Sequence, residues 1–194
     1  MRIGVFGGTF DPPHHGHLMV AVDAFEALRL DRLLLIPTAV HPFKGASVGA
    51  LPEVRLEMLR AAIAGDVRLE VDEIEMRRSG PSYTIDTLRA LRAREAGAEL
   101  FLLLGADNLG EFSAWREAGE VARLATLVII ARGGENAGPD FPFPARTVPV
   151  RRIDVSATEI RRRAASGKSL RYLVPEAVRE IIAREALYRD PLSI

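Results

Sequence analysis

The chain contains no cysteine and a single tryptophan, carries no net charge and has no long hydrophobic run. Without thiols it can form no disulfide, offer no thiolate nucleophile and build no cysteine-based zinc site, a composition that suits a reducing compartment. Lys and Arg together number 26, balanced by 26 Asp and Glu. No net field therefore draws the protein to nucleic acid or to an anionic membrane, and a small, locally charged ligand is the favoured partner. No apolar stretch approaches the roughly 18 residues of a membrane-crossing helix, and the chain opens on a β-prone segment in place of a charged leader. A soluble, cytoplasmic protein is expected. The 194 residues suit one domain, long enough to bury about two-thirds of its unfolded surface.

Apolar, strand-like segments occur at residues 3–6, 33–36, 67–71, 100–104 and 127–131, with a weaker one at 147–150. Between them, apolar residues recur at helical spacing over 17–28, 52–64, 84–95 and 117–124. Strand alternating with helix predicts a parallel sheet covered on both faces. The expected fold class is α/β, an open, doubly wound, Rossmann-like parallel sheet. The last third changes character. Helices are predicted at 156–166, with Ser156 as N-cap and Glu159 completing a capping box, and at 175–185, with Pro175 in the first helical position. They form a small helical cap from about residue 154, continuous with the core in one domain spanning 1–194. Residues 133–144, rich in Gly and Pro, read as a surface loop, and there is no internal repeat.

Two segments mimic functional motifs. Gly167-Lys168-Ser169 looks like the end of a phosphate-binding P-loop, but that motif needs a glycine where this chain has Arg162, so a helix terminus is expected. Asp72, Glu73 and Glu75 could gather on a metal, yet nothing fixes their convergence, and a charged strand end is expected.

The most informative run is Gly7-Gly8-Thr9-Phe10-Asp11-Pro12-Pro13-His14-His15-Gly16-His17. It lies between the first strand and the first helix, at the sheet edge where parallel sheets bind ligands and where N–H groups opening a helix attract anions. Gly7 and Gly8 let a phosphate approach the backbone closely. His14 and His17 are spaced to share one face of the first helical turn. Further on, Val155-Ser156-Ala157-Thr158-Glu159-Ile160-Arg161 puts two hydroxyls and an arginine where a helix begins, and these can hold phosphate oxygens. Taken alone, each run has a plain reading: a glycine turn with satisfied histidines, and a capping box with a surface arginine.

Taken together and in this order, the first run resembles the HxGH signature of the nucleotidyltransferase superfamily, whose members transfer a nucleotidyl group from a triphosphate to a phosphate or similar acceptor. The second resembles the family's triphosphate-binding ISSTxIR motif, with Ala157 in place of the second serine. Ser82-Tyr83-Thr84 before a helix, Gly105-Ala106-Asp107 closing the fourth strand, Trp115, Pro37 and Lys44 extend the resemblance over almost the whole chain to the bacterial nicotinate-nucleotide adenylyltransferases. One departure is that the family usually carries a proline-proline-histidine-lysine run after the second strand. Here it reads His41-Pro42-Phe43-Lys44, which keeps the lysine and lacks the histidine.

The resemblance implies adenylyl transfer from ATP to nicotinate mononucleotide, giving nicotinate adenine dinucleotide and pyrophosphate on the route to NAD. It implies that His14, His17 and Arg161 are catalytic, the histidines donating to phosphates and Arg161 holding the leaving pyrophosphate. Gly7, Gly8, Thr9, Phe10, Gly105, Asp107, Ser156 and Thr158 would contact ATP. Lys44, Tyr83, Thr84 and Trp115 would contact nicotinate mononucleotide, with Trp115 stacked on the pyridine ring. Mg²⁺ would be carried in with ATP, and no protein metal ligand is assigned. As plain alternatives, Tyr83 and Trp115 are core aromatics, Thr84 is an N-cap and Asp107 is a helix cap. Two other functions stay in view: adenylyl transfer to nicotinamide mononucleotide or pantetheine phosphate by the same fold, and ATP sensing without catalysis. The presence of both histidines and Arg161 argues against the second, because sensing needs no transition-state donors. Assembly into a homo-oligomer is left open.

Overall fold

The computed structural model describes residues 1–39, 49–105, 109–131 and 141–189. Strand and helix alternate through β1 (Arg2–Gly8), α1 (His15–Leu28), β2 (Arg32–Pro37), α2 (Pro52–Ala62), β3 (Leu69–Val71), α3 (Thr84–Arg94) and β4 (Glu99–Gly105). There follow α4 (Leu109–Phe112), α5 (Ala118–Leu124), β5 (Thr126–Ala131), β6 (Ala145–Pro149), α6 (Ala157–Ala165) and α7 (Glu176–Arg184). The strands form one parallel sheet in the order β3-β2-β1-β4-β5-β6. This is the doubly wound, Rossmann-like α/β architecture expected from the sequence.

Side chains alternate across each strand, so the sheet feeds two cores. Leu33, Leu35, Phe101 and Leu103 pack with Val20, Ala21 and Ala24 of α1. Leu34, Ile36, Leu100, Leu102 and Leu104 pack with Ile85, Leu88 and Leu91 of α3. Burial on both faces explains why these strands read as continuous apolar runs. A third cluster joins the C-terminal helices to α2: Leu59 faces the sheet, while Met58 packs with Ile160 of α6 and with Val178, Ile181 and Ile182 of α7.

The structure corrects several local expectations. The strand expected at 67–71 starts only at Leu69, and Val67 is exposed. Helix α1 begins at His15, two residues before its apolar periodicity starts. The short helix α4 has no counterpart in the sequence pattern, being less than two turns long. Pro175 is the N-cap of α7 and not its first residue: its φ of −54° suits either position, but its ψ of 148° is extended. Ser156 is the N-cap of α6, its Oγ accepting from Glu159 N at 3.2 Å. Gly167, with φ of +65°, ends that helix and is no phosphate loop. The three acidic residues are held apart by separate partners, Asp72 by Arg94, Glu73 by Arg60 and Glu75 by Thr87. Among the described residues no helix is long and apolar enough to cross a membrane. Most of the loop expected at 133–144 lies outside the described residues.

Close packing between β1 and β2 depends on Gly4, where an added Cβ would lie 2.5 Å from Leu30 Cδ1 and 3.1 Å from Leu33 Cγ. Gly4→Ala is expected to overpack this layer and to lower stability by about 1–3 kcal/mol, read by urea denaturation. Wild-type stability would mean that Leu30 swings aside without strain.

Candidate active site

Strand pairing opens a crevice at one place. β1 pairs with β2 from Ile3 opposite Arg32 to Gly8 opposite Pro37, and β4 pairs with β5 as far as Gly105 opposite Ile130. Between β1 and β4, however, the ladder stops at Val5 opposite Leu102. The carboxyl ends of the two central strands therefore part, at the point where the strand order reverses and α/β sheets bind ligands. Gly7 borders this opening: it is exposed, and a Cβ added there would meet nothing within 4 Å.

The segment leaving β1 builds the crevice floor. Phe10 adopts a left-handed conformation (φ +48°) that sends its ring inward, where it is buried against Phe6 and meets His17 edge-on at 5.0 Å. His14 is the N-cap of α1, with φ of −146°, and is not in its first turn. It still meets His17, because the rings stack at 3.7 Å between centroids, tilted by 24°. The His14 N–H donates to His17 Nδ1 at 3.2 Å. An accepting Nδ1 carries no proton, so the proton of neutral His17 sits on Nε2 and makes that atom a donor. Gly16 leaves room for this stack, since a Cβ there would crowd the His14 ring at 3.0 Å.

Two arginines hold the turn by its carbonyls. Arg55, buried in α2, donates to Thr9 O at 2.7 Å, to Thr38 O at 2.8 Å and to Ala50 O at 3.3 Å. Burial pushes its guanidinium below its ordinary pKa, and the nearby Asp11 carboxylate pulls the other way. Arg161 Nη1 donates to Asp11 O at 2.8 Å, and its Nη2 to Thr158 Oγ1 at 3.3 Å. The start of α6, with Ser156 and Thr158 exposed, is thus tied to the histidine turn. A backbone bond from His15 N to Leu173 O, 3.1 Å, fastens the same turn to the loop before α7.

A second group gathers where α3 begins. Tyr83 is its N-cap, with no side-chain capping bond, and Thr84 is its first residue, so backbone donors are presented there. The Arg116 guanidinium lies 4.9 Å over the Tyr83 ring. Trp115, half-buried, packs at 5.1 Å from Phe112 on the same core as Tyr83. Beneath this end, Thr87 Oγ1 donates to Glu75 at 2.8 Å and accepts from Arg78 at 2.7 Å. Burial raises the Glu75 carboxyl, and the Thr87 bond opposes it.

The cytidylyltransferase-like family model matches residues 5–163. A "Probable nicotinate-nucleotide adenylyltransferase" of Gemmatimonas aurantiaca is 43% identical over 98% of this chain and 93% of its own length. A Thermus thermophilus protein of the same description is 44% identical, covering 97% of this chain and all of its own. The chain belongs to the nicotinate-nucleotide adenylyltransferase family. Among solved structures, it resembles the fold of a Plasmodium falciparum nicotinic acid mononucleotide adenylyltransferase complexed with NaAD, with a TM-score of 0.80 at 18% identity, covering 96% of this chain and 97% of that one.

Of the residues this family membership brings into question, His14, His17, Thr9, Gly7, Gly8, Thr158 and Arg161 come together around the histidine turn, with Ser156 at the adjoining helix start. Only the main chain of Phe10 remains to meet a ligand, since its ring is buried. Tyr83, Thr84 and Trp115 form the second group, and Gly105 ends β4 beside the crevice. Lys44 and Asp107 lie outside the described residues. Sequence reasoning missed Arg55 and Tyr188, whose hydroxyl donates to Asp11 Oδ1 at 2.6 Å. The one available signal for Arg55 was an arginine on the otherwise apolar stripe of α2.

Arg161 should be tested in both roles that its contacts allow. Arg161→Lys is expected to keep the fold but to recover only part of the activity lost in Arg161→Ala, because lysine lacks the planar fork. The kinetics of both variants beside their melting curves decide it. A change in thermal stability alone would leave Arg161 a structural tie.

Proposed function

We propose that this protein transfers the adenylyl group of ATP to nicotinate mononucleotide, releasing pyrophosphate and giving nicotinate adenine dinucleotide, in the cytoplasm. The observation that carries this reading is the stacked histidine pair at the parted strands, bound through Asp11 to the arginine of α6, in a chain of this family. An acceptor phosphate is already a nucleophile, so no side-chain base is needed. Its oxygen bonds to the α-phosphorus of ATP as the bond from that phosphorus to the pyrophosphate oxygen breaks. What the protein must supply is alignment of two polyanions and donors for the charge that develops.

The chain's groups suit those tasks. His17 Nε2–H would donate to the α-phosphate, with His14 stacked behind it, while Gly7, Gly8 and Thr9 would leave room for the phosphates. Ser156, Thr158 and Arg161 would receive the pyrophosphate at the start of α6. Tyr83 and Thr84 would present N–H groups to the nicotinate carboxylate, Trp115 would stack on the ring, Lys44 would meet the acceptor phosphate, and Gly105 and Asp107 would border the adenosine. The donor set at the crevice fits phosphate oxygens and not a cation. Mg²⁺ would therefore arrive on the triphosphate, neutralising part of its charge, and no step here is routed through it.

Two outcomes test the reading. Donors aimed at transition-state charge are typically worth about a hundredfold to a thousandfold, so His17→Ala should lower kcat by that range with little change in ATP affinity, and His14→Ala by less. Pyrophosphate release over a panel of acceptors tests the substrate. A carboxamide turns an NH₂ donor towards donors and is left partly unpaired, so kcat/KM for nicotinate mononucleotide should exceed that for nicotinamide mononucleotide by at least about a hundredfold. Trp115→Ala should weaken both alike. Equal efficiency would overturn the acceptor choice alone, and turnover of pantetheine phosphate would overturn the reading.

A further inference from the structure

We propose that Tyr188, close to the C-terminal end of the described chain, is a positioning residue: through the Asp11 carboxylate it sets the turn that carries His14 and His17. Its consequence for catalysis rests on the adenylyl-transfer reading above. The phenol donates to Asp11 Oδ1 at 2.6 Å, across 177 positions of sequence. The same oxygen accepts from Ala50 N at 3.0 Å, and Asp11 O accepts from Arg161. One buried residue thus fixes three segments: the end of the connection after β2, the start of α6 and the tail after α7. Three residues further along from Asp11 comes His14, whose backbone N–H fixes His17. The packing is tight on the other carboxylate oxygen as well, because a Cβ on Gly49 would fall 1.8 Å from Asp11 Oδ2. Tyr188 takes a left-handed backbone (φ +60°), as does Ala186 two residues earlier (φ +49°), and this turned tail brings the Tyr188 hydroxyl to Asp11. Burial, helped by Asp11, holds the phenol protonated well above its ordinary range, so it remains a donor at any working pH.

The test is Tyr188→Phe, which deletes the donor and keeps the ring. Displacement of reacting groups by a residue outside the chemistry can cost up to a hundredfold. We expect kcat to fall between about tenfold and a hundredfold, with KM for ATP changed by less than about threefold. Asp11→Asn keeps Oδ1 as an acceptor for both partners and should retain most activity. Asp11→Ala should match or exceed the Tyr188→Phe loss, and the double variant Asp11→Ala/Tyr188→Phe should be no worse than Asp11→Ala alone. Gly49→Ala, which crowds Asp11 from outside the bond, should reproduce the kcat loss. The imidazole resonances of His14 and His17 should shift in Tyr188→Phe. A Tyr188→Phe enzyme with a lower melting temperature but kcat within about twofold of wild type would overturn the proposal, as would losses that multiply in the double variant. If the wild-type protein turned over no nicotinate mononucleotide, the functional reading would fail while the resonances still decided the positioning: shifted rings support it and unmoved rings overturn it.

Discussion

Carbonyls from three separate segments converge on one buried guanidinium, and the crevice keeps its shape because of it. Arg55 binds Thr9 O after β1, Thr38 O after β2 and Ala50 O before α2. Its fork is planar and permanently charged, so it fixes the relative angle of these loops as well as their distance. Hydrogen bonds to charged groups contribute about 1.5–3 kcal/mol each, and a carbonyl stripped of its donor in the interior would add a desolvation penalty. The ion pairs on the outer faces of α5 and α7, Arg123 with Glu120 and Arg179 with Glu176, are exposed and screened. The site is therefore held from within. Carbonyls already bound to protein cations are also unable to repel an incoming polyanion.

The same arrangement reconciles a chain of zero net charge with anionic ligands. The formal charge cancels over the whole sequence, but the crevice needs only a local field, and Arg161 and the open start of α6 supply one at short range. Asp11 lies in the histidine turn itself, and both its carboxylate and its carbonyl are turned to protein donors. Its charge is thus spent on structure and not on opposing the ligand.

The sheet was legible in the sequence because a strand buried on both faces must be apolar throughout, as residues 33–36 and 100–104 are. The histidine turn was legible because glycines and histidines at a strand exit have few other uses in that order. What could not be read was long-range and polar. Phe10 looks like a loop residue that could touch a ligand, and only its positive φ reveals that the ring turns into the core. Arg55 sits in an ordinary helix, and its partners are backbone atoms, which carry no sequence signature. Tyr188 lies near the C-terminus with nothing nearby to mark it. For Pro175, φ is compatible with two cap positions and ψ, set by the chain before it, selects between them.

These long-range ties give the C-terminal third a part that its place outside the sheet would not suggest. His15 N to Leu173 O, Arg161 to Asp11 O and Tyr188 to Asp11 Oδ1 all cross from the histidine turn to residues beyond 160. The six strands need none of them for their own pairing. Helices α6 and α7 pack on α2 through a separate small core around Met58 and Ile160, and a small core opens at lower cost than the two that sandwich the sheet. Partial opening of this cap would leave the sheet folded while releasing Arg161 and Tyr188 from Asp11 together. The turn would then lose its outer ties and keep those from Arg55 and from Ala50 N. On the proposed adenylyl-transfer reading, a triphosphate held across His17 and the start of α6 would oppose such opening, because it would bridge sheet-borne and cap-borne donors that only the closed arrangement brings within reach of one ligand.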